Sequence, residues 1–123
     1  AHLAHIGEGP FEERLDDLVA MRLRLYESKG SNFRAAIHHA ATHPRVRDEL
    51  HTSRRLLREQ FELQFAPELD VLRPPTSTSA VEAGNQLTHL DSIDLLRRAR
   101  NLTVSESATV LRDGLTAVLR PRR

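Results

Sequence analysis

The sequence of 123 residues predicts an all-α fold with five main helices in an orthogonal or antiparallel bundle. Helical spacing of apolar residues recurs along the chain, whereas no alternating pattern of useful length predicts a β-strand. Signals that start and stop helices divide the chain into segments of helical length. The length suits residues 1–123 forming one domain with its own core, and it is too short for two.

The first predicted helix runs from about Pro10 to Ser28. Proline suits the first helical position, and two glutamates in the first turn favour the positive end of the helix dipole. Gly30 follows as a suitable stop. Arg22 interrupts the apolar face of this helix, and residues 1–9 before it are predicted to be loose.

The next two predicted helices are separated by a proline. A serine and an asparagine after Gly30 can cap a short second helix, which is predicted to end near Thr42 because the following residue precedes Pro44. Pro44 begins a long third helix, which is predicted to reach about Leu69. Its apolar face consists of Val46, Leu50, Leu57 and Phe61, and the polar residues Ser53, Gln60 and Gln64 lie beside this face.

A connector and two capping signals define the rest of the chain. Residues 70–79 contain paired prolines and four hydroxyl residues, which predict a connector. Ser79 begins a capping box, SAVE, for a fourth helix that is predicted to run to about Arg100. Asn101 suits the left-handed position that ends a helix, and Thr103 begins a second capping box, TVSE, for the fifth helix.

The last two predicted helices have apolar residues on more than one side. Glycine inside a helix costs about 1 kcal/mol relative to alanine, so Gly114 indicates close approach by another helix. Helices with two apolar sides are typical of intermolecular bundles, and we expect these two to form a two-fold homodimer. The predicted interface residues are Ile93, Leu96, Val110, Gly114 and Ala117.

Two carboxylates interrupt a predicted buried stripe. Asp91 and Asp94 fall on the same side of the fourth helix as Leu87 and Leu95. Because an ionised side chain is costly to bury alone, three settings remain open: an ion pair with Arg22, contact with a ligand, or exposure to solvent.

Aromatic and polar side chains on the predicted helices have the composition of a ligand pocket, which is mostly apolar with a few directed polar groups. A plain core is the alternative interpretation of the same residues. The candidate ligand-binding residues are Arg22, Tyr26, Phe33, Leu57, Gln60, Phe61, Gln64, Leu87 and Asp91.

The composition argues against several classes of function. With 18 basic and 17 acidic residues, no uniformly basic surface for nucleic acid is indicated. The sequence has no cysteine, no glycine-rich phosphate loop and no GxSxG motif, so we expect no catalytic residues, no cofactor and no enzymatic activity. His39 and His43 are four residues apart, but without an HExxH motif we expect no metal site. Without an apolar run of roughly 20 residues, we expect no membrane contact and a cytoplasmic location.

Two runs carry a family resemblance: LYESKGSNFRAAIHHAATHPRVRDELHTSRRLLREQFELQFAPEL and LDSIDLLRRARNLTVSESATVLRDGLTAVL. In this order they resemble the carboxy-terminal regulatory domain of TetR-type transcriptional repressors, from about Glu8 to Leu119. The resemblance implies a helical domain that binds a small effector among its central helices and dimerises through its last two.

The family's amino-terminal helix-turn-helix is absent from this sequence. We therefore expect contact with DNA only through a module outside this chain. Because residue 1 is Ala1 and the sole methionine is Met21, we interpret the chain as part of a longer protein. The alternative hypothesis is a stand-alone helical interaction domain with no small-molecule effector.

Overall fold

The computed structural model describes residues 6–121, and this part of the chain is helical without any β-strand. It contains six α-helices and one π-helical turn. They are α1 (Phe11–Ala40), α2 (Pro44–Gln64), α3 (Ala66–Leu72), α4 (Thr76–Leu87), α5 (Leu90–Asp94), the π-helical turn (Leu95–Ala99) and α6 (Val104–Leu119). The all-α prediction is confirmed, although the described residues form more helices than the sequence predicted.

Helix α1 is one continuous helix of 30 residues where the sequence predicted two. Gly30 lies buried inside it, and a Cβ atom added there would lie 3.1 Å from Cε1 of Tyr26. The glycine therefore makes room for the aromatic ring of Tyr26 and does not end the helix. The predicted break at Gly30 is wrong for this reason.

The predicted third helix is divided at Phe65, between α2 and α3. Pro67 lies in the first turn of α3. Proline lacks a backbone N–H, and its ring clashes with the carbonyl four residues earlier in a continuing helix. A chain that cannot continue α2 through Pro67 can still begin a new helix there, because proline is tolerated in a first turn.

The predicted connector at residues 70–79 is much shorter in the structure. Only three residues, 73–75, separate α3 from α4, and the serines and threonines after them form the first turns of α4. The carbonyls of Arg73 and Pro75 accept hydrogen bonds from the amides of Ser77 and Ser79, at 2.9 and 3.1 Å. The helix therefore begins before Ser79, whose backbone amide already has an acceptor. For this reason the capping box predicted at Ser79 does not form.

The predicted fourth helix is divided into α4, α5 and the π-helical turn. At the first break, the carbonyl of Thr88 accepts a hydrogen bond from Nη1 of Arg22 at 3.1 Å. His89 then caps α5 by accepting a hydrogen bond from the amide of Asp91 at 3.4 Å. A contact from α1 thus stabilises this break, which the local sequence does not reveal.

The start of α6 agrees with the sequence. Asn101 has a φ of 54°, in the left-handed region. The Thr103 hydroxyl accepts a hydrogen bond from the Glu106 amide at 3.0 Å, and the Glu106 carboxylate accepts one from the Thr103 amide at 2.9 Å. These bonds lower the pKa of Glu106 and confirm the predicted capping box.

Helix α1 is the centre of the packing, since it contacts α2, α5 and α6, while α4 packs against α6, α2 and α3. The apolar side chains that are most completely buried come from α1, α2, α5 and α6 and from the residue between α2 and α3. They are Leu15, Leu18, Met21, Phe61, Phe65, Ile93, Leu111 and Leu115.

A buried ion pair joins α1 to α3. Two nitrogens of the Arg14 guanidinium donate to the carboxylate oxygens of Glu68, at 2.5 and 2.7 Å, and its Nε donates to the carbonyl of Gly9 at 3.0 Å. The Gln64 amide donates to the Arg14 carbonyl at 2.9 Å and accepts a hydrogen bond from the Gly7 amide at 3.1 Å. This arrangement holds the described residues before α1 against α2. Of the segment predicted to be loose, residues 1–5 lie outside the described part of the chain.

Candidate functional site

A cavity of about 500 Å³ lies between the carboxyl-terminal half of α1 and the amino-terminal half of α2. Its wall is mainly apolar. The lining residues are Leu25, Lys29, Asn32, Phe33 and Ala36 of α1, Val46, Glu49, Leu50, Ser53, Arg54, Leu56 and Leu57 of α2, and Leu90 of α5. This volume and lining are typical of a site for a small organic ligand.

The helical period explains why these residues face one another. On α1, Lys29, Phe33 and Ala36 follow one another at intervals of four and three residues, so they share a face. On α2, Leu50 and Leu57 belong to the apolar face that the sequence predicted. The uninterrupted length of α1 carries its face past Gly30 and out over α2.

Arg54 is the most prominent polar group in this wall. Its guanidinium carbon lies 5.7 Å from the centre of the Phe33 ring, and Nη2 donates to the Asp91 carboxylate at 3.4 Å. Its Nε is buried, and no hydrogen-bond acceptor lies within reach of it in residues 6–121. Because Nε is buried, the donors that Arg54 can offer to a molecule in the cavity are those of its terminal nitrogens, of which Nη2 already bonds Asp91.

Arg54 also borders a second, polar cleft of about 360 Å³ between α2 and α4. The other residues of this cleft are Arg55, Arg58, Glu82, Asn85, Gln86, His89 and Asp91. The Asn85 carbonyl oxygen is buried there, and it too has no hydrogen-bond partner within residues 6–121. The apolar cavity and the polar cleft thus share the Arg54 side chain as a common wall.

His89 lies behind this wall, with its ring centre 5.6 Å from that of Phe33. Burial lowers its pKa; the Asp91 carboxylate opposes this effect, whereas Arg54 and Arg22 lower the pKa further. Because its Nδ1 accepts the hydrogen bond from the Asp91 amide, the ring is neutral and protonated on the other nitrogen. A neutral histidine leaves the positive charge of the region with the arginines.

Arg22 is fully buried, and no carboxylate pairs with it within the described residues. Its guanidinium donates to the carbonyls of Leu57 and Thr88 at 2.7 and 3.1 Å, and to the side chain of Gln60 at 3.4 Å. Burial lowers its pKa to about 10, so it remains a cation at neutral pH. The ion pair with Asp91 or Asp94 that the sequence left open does not form. Arg22 instead fastens α2 and the α4–α5 break to α1 behind the cavity.

The two aspartates have separate partners. Asp94 accepts a hydrogen bond from the hydroxyl of Tyr26 at 2.6 Å and forms an ion pair with Arg34 at 3.0 Å. Burial and the hydrogen bond to Asp94 raise the pKa of Tyr26, so the hydroxyl keeps its proton at neutral pH. Asp91 is half exposed beside Arg54. Both carboxylates are therefore tolerated because cations and a phenol hydroxyl accompany them.

The candidate ligand residues occupy several different places. Phe33 and Leu57 line the cavity. Phe61 and Gln64 are fully buried, Gln60 accepts its hydrogen bond from Arg22, and Leu87 packs against Gly114. Two of the nine candidates thus lie in the wall of the cavity, and Phe61, Gln64 and Leu87 make their contacts elsewhere in the fold.

Arg54 was not predicted as a ligand-binding residue, although its place on the apolar stripe of α2 could have indicated it. Val46, Leu50, Arg54 and Leu57 follow one another at intervals of four, four and three residues, so Arg54 interrupts an apolar stripe as Arg22 does in α1. A cation within an apolar face requires a partner or a route to solvent.

The predicted interface residues divide into two groups. Ile93 is fully buried in the core of its own chain, so it is not open to a partner; Leu96 is partly buried. Val110, Gly114 and Ala117 share one face of α6, on which Val110 is 42% exposed. A Cβ atom added at Gly114 would lie 3.1 Å from a methyl group of Leu87, so the helix that approaches this glycine includes α4 of the same chain. We call the surface of Leu87, Val110, Gly114 and Ala117 the α4–α6 seam.

A second apolar concavity, a groove of about 760 Å³, lies between α1 and α6. Val19, Ala20 and Leu23 form one side, and Val104 and Ala108 form the other. Ion pairs of Asp16 with Arg112 and of Glu27 with Arg97 flank it, at 2.8 and 2.9 Å. Unlike the α1–α2 cavity, this groove has no lining residue with a buried polar side-chain atom that lacks a hydrogen-bond partner within residues 6–121.

Residues 6–121 contain no group of three or more histidine, aspartate or glutamate side chains arranged to hold a metal ion. None of the helices in this range has the length and apolar character needed to cross a membrane. Comparisons with protein-family models, curated proteins and solved structures gave no match for this chain.

Proposed function

We propose that this chain is the effector-binding and homodimerisation domain of a TetR-like transcriptional regulator that acts in the bacterial cytoplasm. The α1–α2 cavity is the observation that carries the proposal: it has the volume and the apolar wall of a small-molecule site, with a few polar groups placed at its edge. The order of motifs along the sequence supports the same assignment. The DNA-binding module belongs to a segment outside this chain.

Dimerisation is assigned to α4 and α6, which together form a two-fold helical bundle with a second copy. Support comes from the exposed apolar residues of the α4–α6 seam, which lie beside the core-facing stripe of α6. An isologous interface requires such a self-complementary patch on each subunit. Ile93 has no part in this surface.

The arrangement of hydrogen bonds offers a route from the cavity to the rest of the domain. Arg22 binds the Leu57 carbonyl at the wall of the cavity and the Thr88 carbonyl at the end of α4. An effector that binds one relative position of α1 and α2 more tightly than another shifts the equilibrium between them. Through Arg22, such a shift displaces α4, and with it the α4–α6 seam.

Binding of phenylnaphthylamine, an uncharged fluorescent dye, tests the cavity. Ala36 lines it, whereas the neighbouring Ala35 is exposed. We expect the chain to bind one dye molecule saturably, Ala36→Phe to weaken binding at least about tenfold by filling the cavity, and Ala35→Phe to leave the Kd within about twofold. Equal effects of the two substitutions, or no saturable binding, would contradict the proposal and favour a helical interaction domain with no effector.

A further inference from the structure

We infer that the ligand of the α1–α2 cavity is an amphipathic organic anion whose apolar body lies between α1 and α2 and whose acidic group binds Arg54. This inference rests on the proposed function, because it specifies the ligand class of the same cavity.

The guanidinium of Arg54 makes fewer hydrogen bonds to the protein than its donors allow. A guanidinium has five N–H donors in a planar fork that matches the two oxygens of an acidic group. Arg14 shows the saturated case, since Glu68 takes two of its nitrogens and two backbone carbonyls accept further bonds. Arg54 makes one bond of 3.4 Å to Asp91, and its buried Nε has no partner within residues 6–121. A ligand cannot reach the buried Nε, but Nη1 makes no bond to the protein within residues 6–121, so an acidic group can bind at the terminal nitrogens.

Cations outnumber carboxylates among the residues that line the cavity. Lys29 and Arg54 line it, against the single carboxylate of Glu49. Arg22 lies behind the Leu57 backbone and has no paired carboxylate in the described part of the chain. Because burial lowers the pKa of the adjacent His89, an effect that Asp91 opposes and Arg54 and Arg22 strengthen, that ring adds no charge of its own at neutral pH. Asp91, 3.4 Å from Arg54, offsets part of this charge, but the three cations Lys29, Arg54 and Arg22 still outnumber the two carboxylates of Glu49 and Asp91, which favours a negative group.

The Arg54 side chain lies between two concavities of different character. Arg54 borders the apolar cavity on one side and the polar cleft on the other. The Phe33 ring centre lies 5.7 Å from the guanidinium carbon, and Nη1 makes no hydrogen bond to the protein within the described residues. A molecule with its apolar body in the cavity can place an acidic end against Arg54, where the apolar cavity meets the polar cleft.

Two dyes with the same ring system separate charge recognition from apolar binding. Phenylnaphthylamine is neutral, and anilinonaphthalene sulfonate carries an acidic group on the same rings. We expect the sulfonate dye to bind the full chain at least about tenfold more tightly, with a preference that weakens as salt is added. We expect Arg54→Gln to remove this preference while the Kd of the neutral dye stays within about twofold.

Two further variants serve as controls. Arg55→Gln removes the same charge from the next residue, whose side chain is 65% exposed, pairs with Glu59 and does not line the apolar cavity; it should preserve the preference. Arg54→Lys keeps the charge without the planar fork and should retain part of it. The inference is overturned if the wild-type chain does not prefer the sulfonate dye, or if Arg54→Gln and Arg55→Gln reduce the preference equally. If only the inference fails, the neutral dye still binds and Ala36→Phe still blocks it; if the proposed function fails, neither dye binds saturably.

Discussion

Three arginines of this protein lie in different electrostatic settings. Arg14 is buried with a bidentate carboxylate, Arg22 is buried with neutral acceptors alone, and Arg54 is partly exposed with one long bond to Asp91. Burying a cation without a carboxylate is costly, and Arg22 is retained because carbonyl and amide oxygens surround its guanidinium. The exposed donors of Arg54 can bind an acceptor from outside the protein, which is the basis of the ligand class inferred above.

Residue by residue, His89 gives a prediction about pH. Burial lowers its pKa in the folded chain, whereas in the unfolded chain the pKa is about 6.5. As the pH falls below that value, the unfolded chain binds a proton that the folded chain does not, so the free energy of unfolding decreases until the pH reaches the folded pKa. His89→Asn removes this effect and keeps a side chain that can cap α5.

Urea denaturation of both proteins measures the difference. Between about pH 7.5 and pH 5.5, the free energy of unfolding should decrease more in the wild type than in His89→Asn. The other titrating groups are the same in both proteins, so their contribution cancels in this comparison. Equal losses in the two proteins would show that His89 has the same pKa in the folded and unfolded chains.

Residue roles were partly accessible from the sequence. Arg22 and the two aspartates could be recognised because each interrupts an apolar stripe, but their partners could not, since Asp94 pairs with Arg34 from beyond the predicted helix end. A charged residue on an apolar stripe indicates that a partner or solvent must lie beside it, but only the tertiary structure shows which one does.

At the level of elements, the glycines determine how closely helices approach. Gly84 of α4 lies under the Phe61 ring of α2, so that a Cβ atom there would overlap the ring. We expect Gly84→Ala to destabilise the protein by about 1–3 kcal/mol, because the fully buried ring has no free space into which to move. The change is measured by urea denaturation.

Gly114→Ala is the matched control for that substitution. Its Cβ atom would meet a methyl group of the half-buried Leu87 at 3.1 Å, which a change of rotamer relieves. Because alanine favours a helix by about 1 kcal/mol over glycine, the net effect should lie near zero. A larger loss for Gly114→Ala than for Gly84→Ala would contradict this account of the two helix contacts.

The start of α6 followed the sequence, whereas the capping box predicted from equally local chemistry at Ser79 did not form. The capping box at Thr103 and the left-handed Asn101 were predicted because both depend on neighbouring residues alone. Gly30 was misread, because the space it leaves is used by Tyr26 and the glycine has no role in ending the helix. The break at Thr88 was not predictable, since the hydrogen bond from Arg22 crosses from another helix.

For the whole molecule, the proposal predicts a dimer through the α4–α6 seam. Val110 is exposed in the single chain, and Thr109 is exposed a quarter turn away on the same helix. We expect Val110→Glu to dissociate the dimer, since it places a charge in an apolar interface, and Thr109→Glu to leave it intact. Sedimentation velocity across a concentration series measures both. A wild-type chain that stays monomeric, or identical behaviour of the two variants, would contradict the interface.

Gly114→Leu, the obvious substitution in this seam, tests the interface less cleanly. The larger side chain would press on Leu87 within the same chain and disturb the contact of α4 with α6. Val110→Glu alters the exposed surface without that internal clash.

The fold class was predictable because helical spacing runs through most of the chain. The cavity was not, because its α1 side depends on that helix continuing past Gly30, where the sequence predicted a break. Two of the nine candidate ligand residues lie in its wall for this reason.

Nuclear magnetic resonance of the labelled full chain, titrated with phenylnaphthylamine, tests the central claim most directly, because it reports where the dye binds among two apolar concavities. The account predicts that the amide signals of Ala36, Leu50 and Leu57 shift with a single saturable dependence, while those of Ala20 and Ala108 in the α1–α6 groove remain in place. Shifts centred on Ala20 and Ala108, with the α1–α2 cavity unaffected, would contradict it.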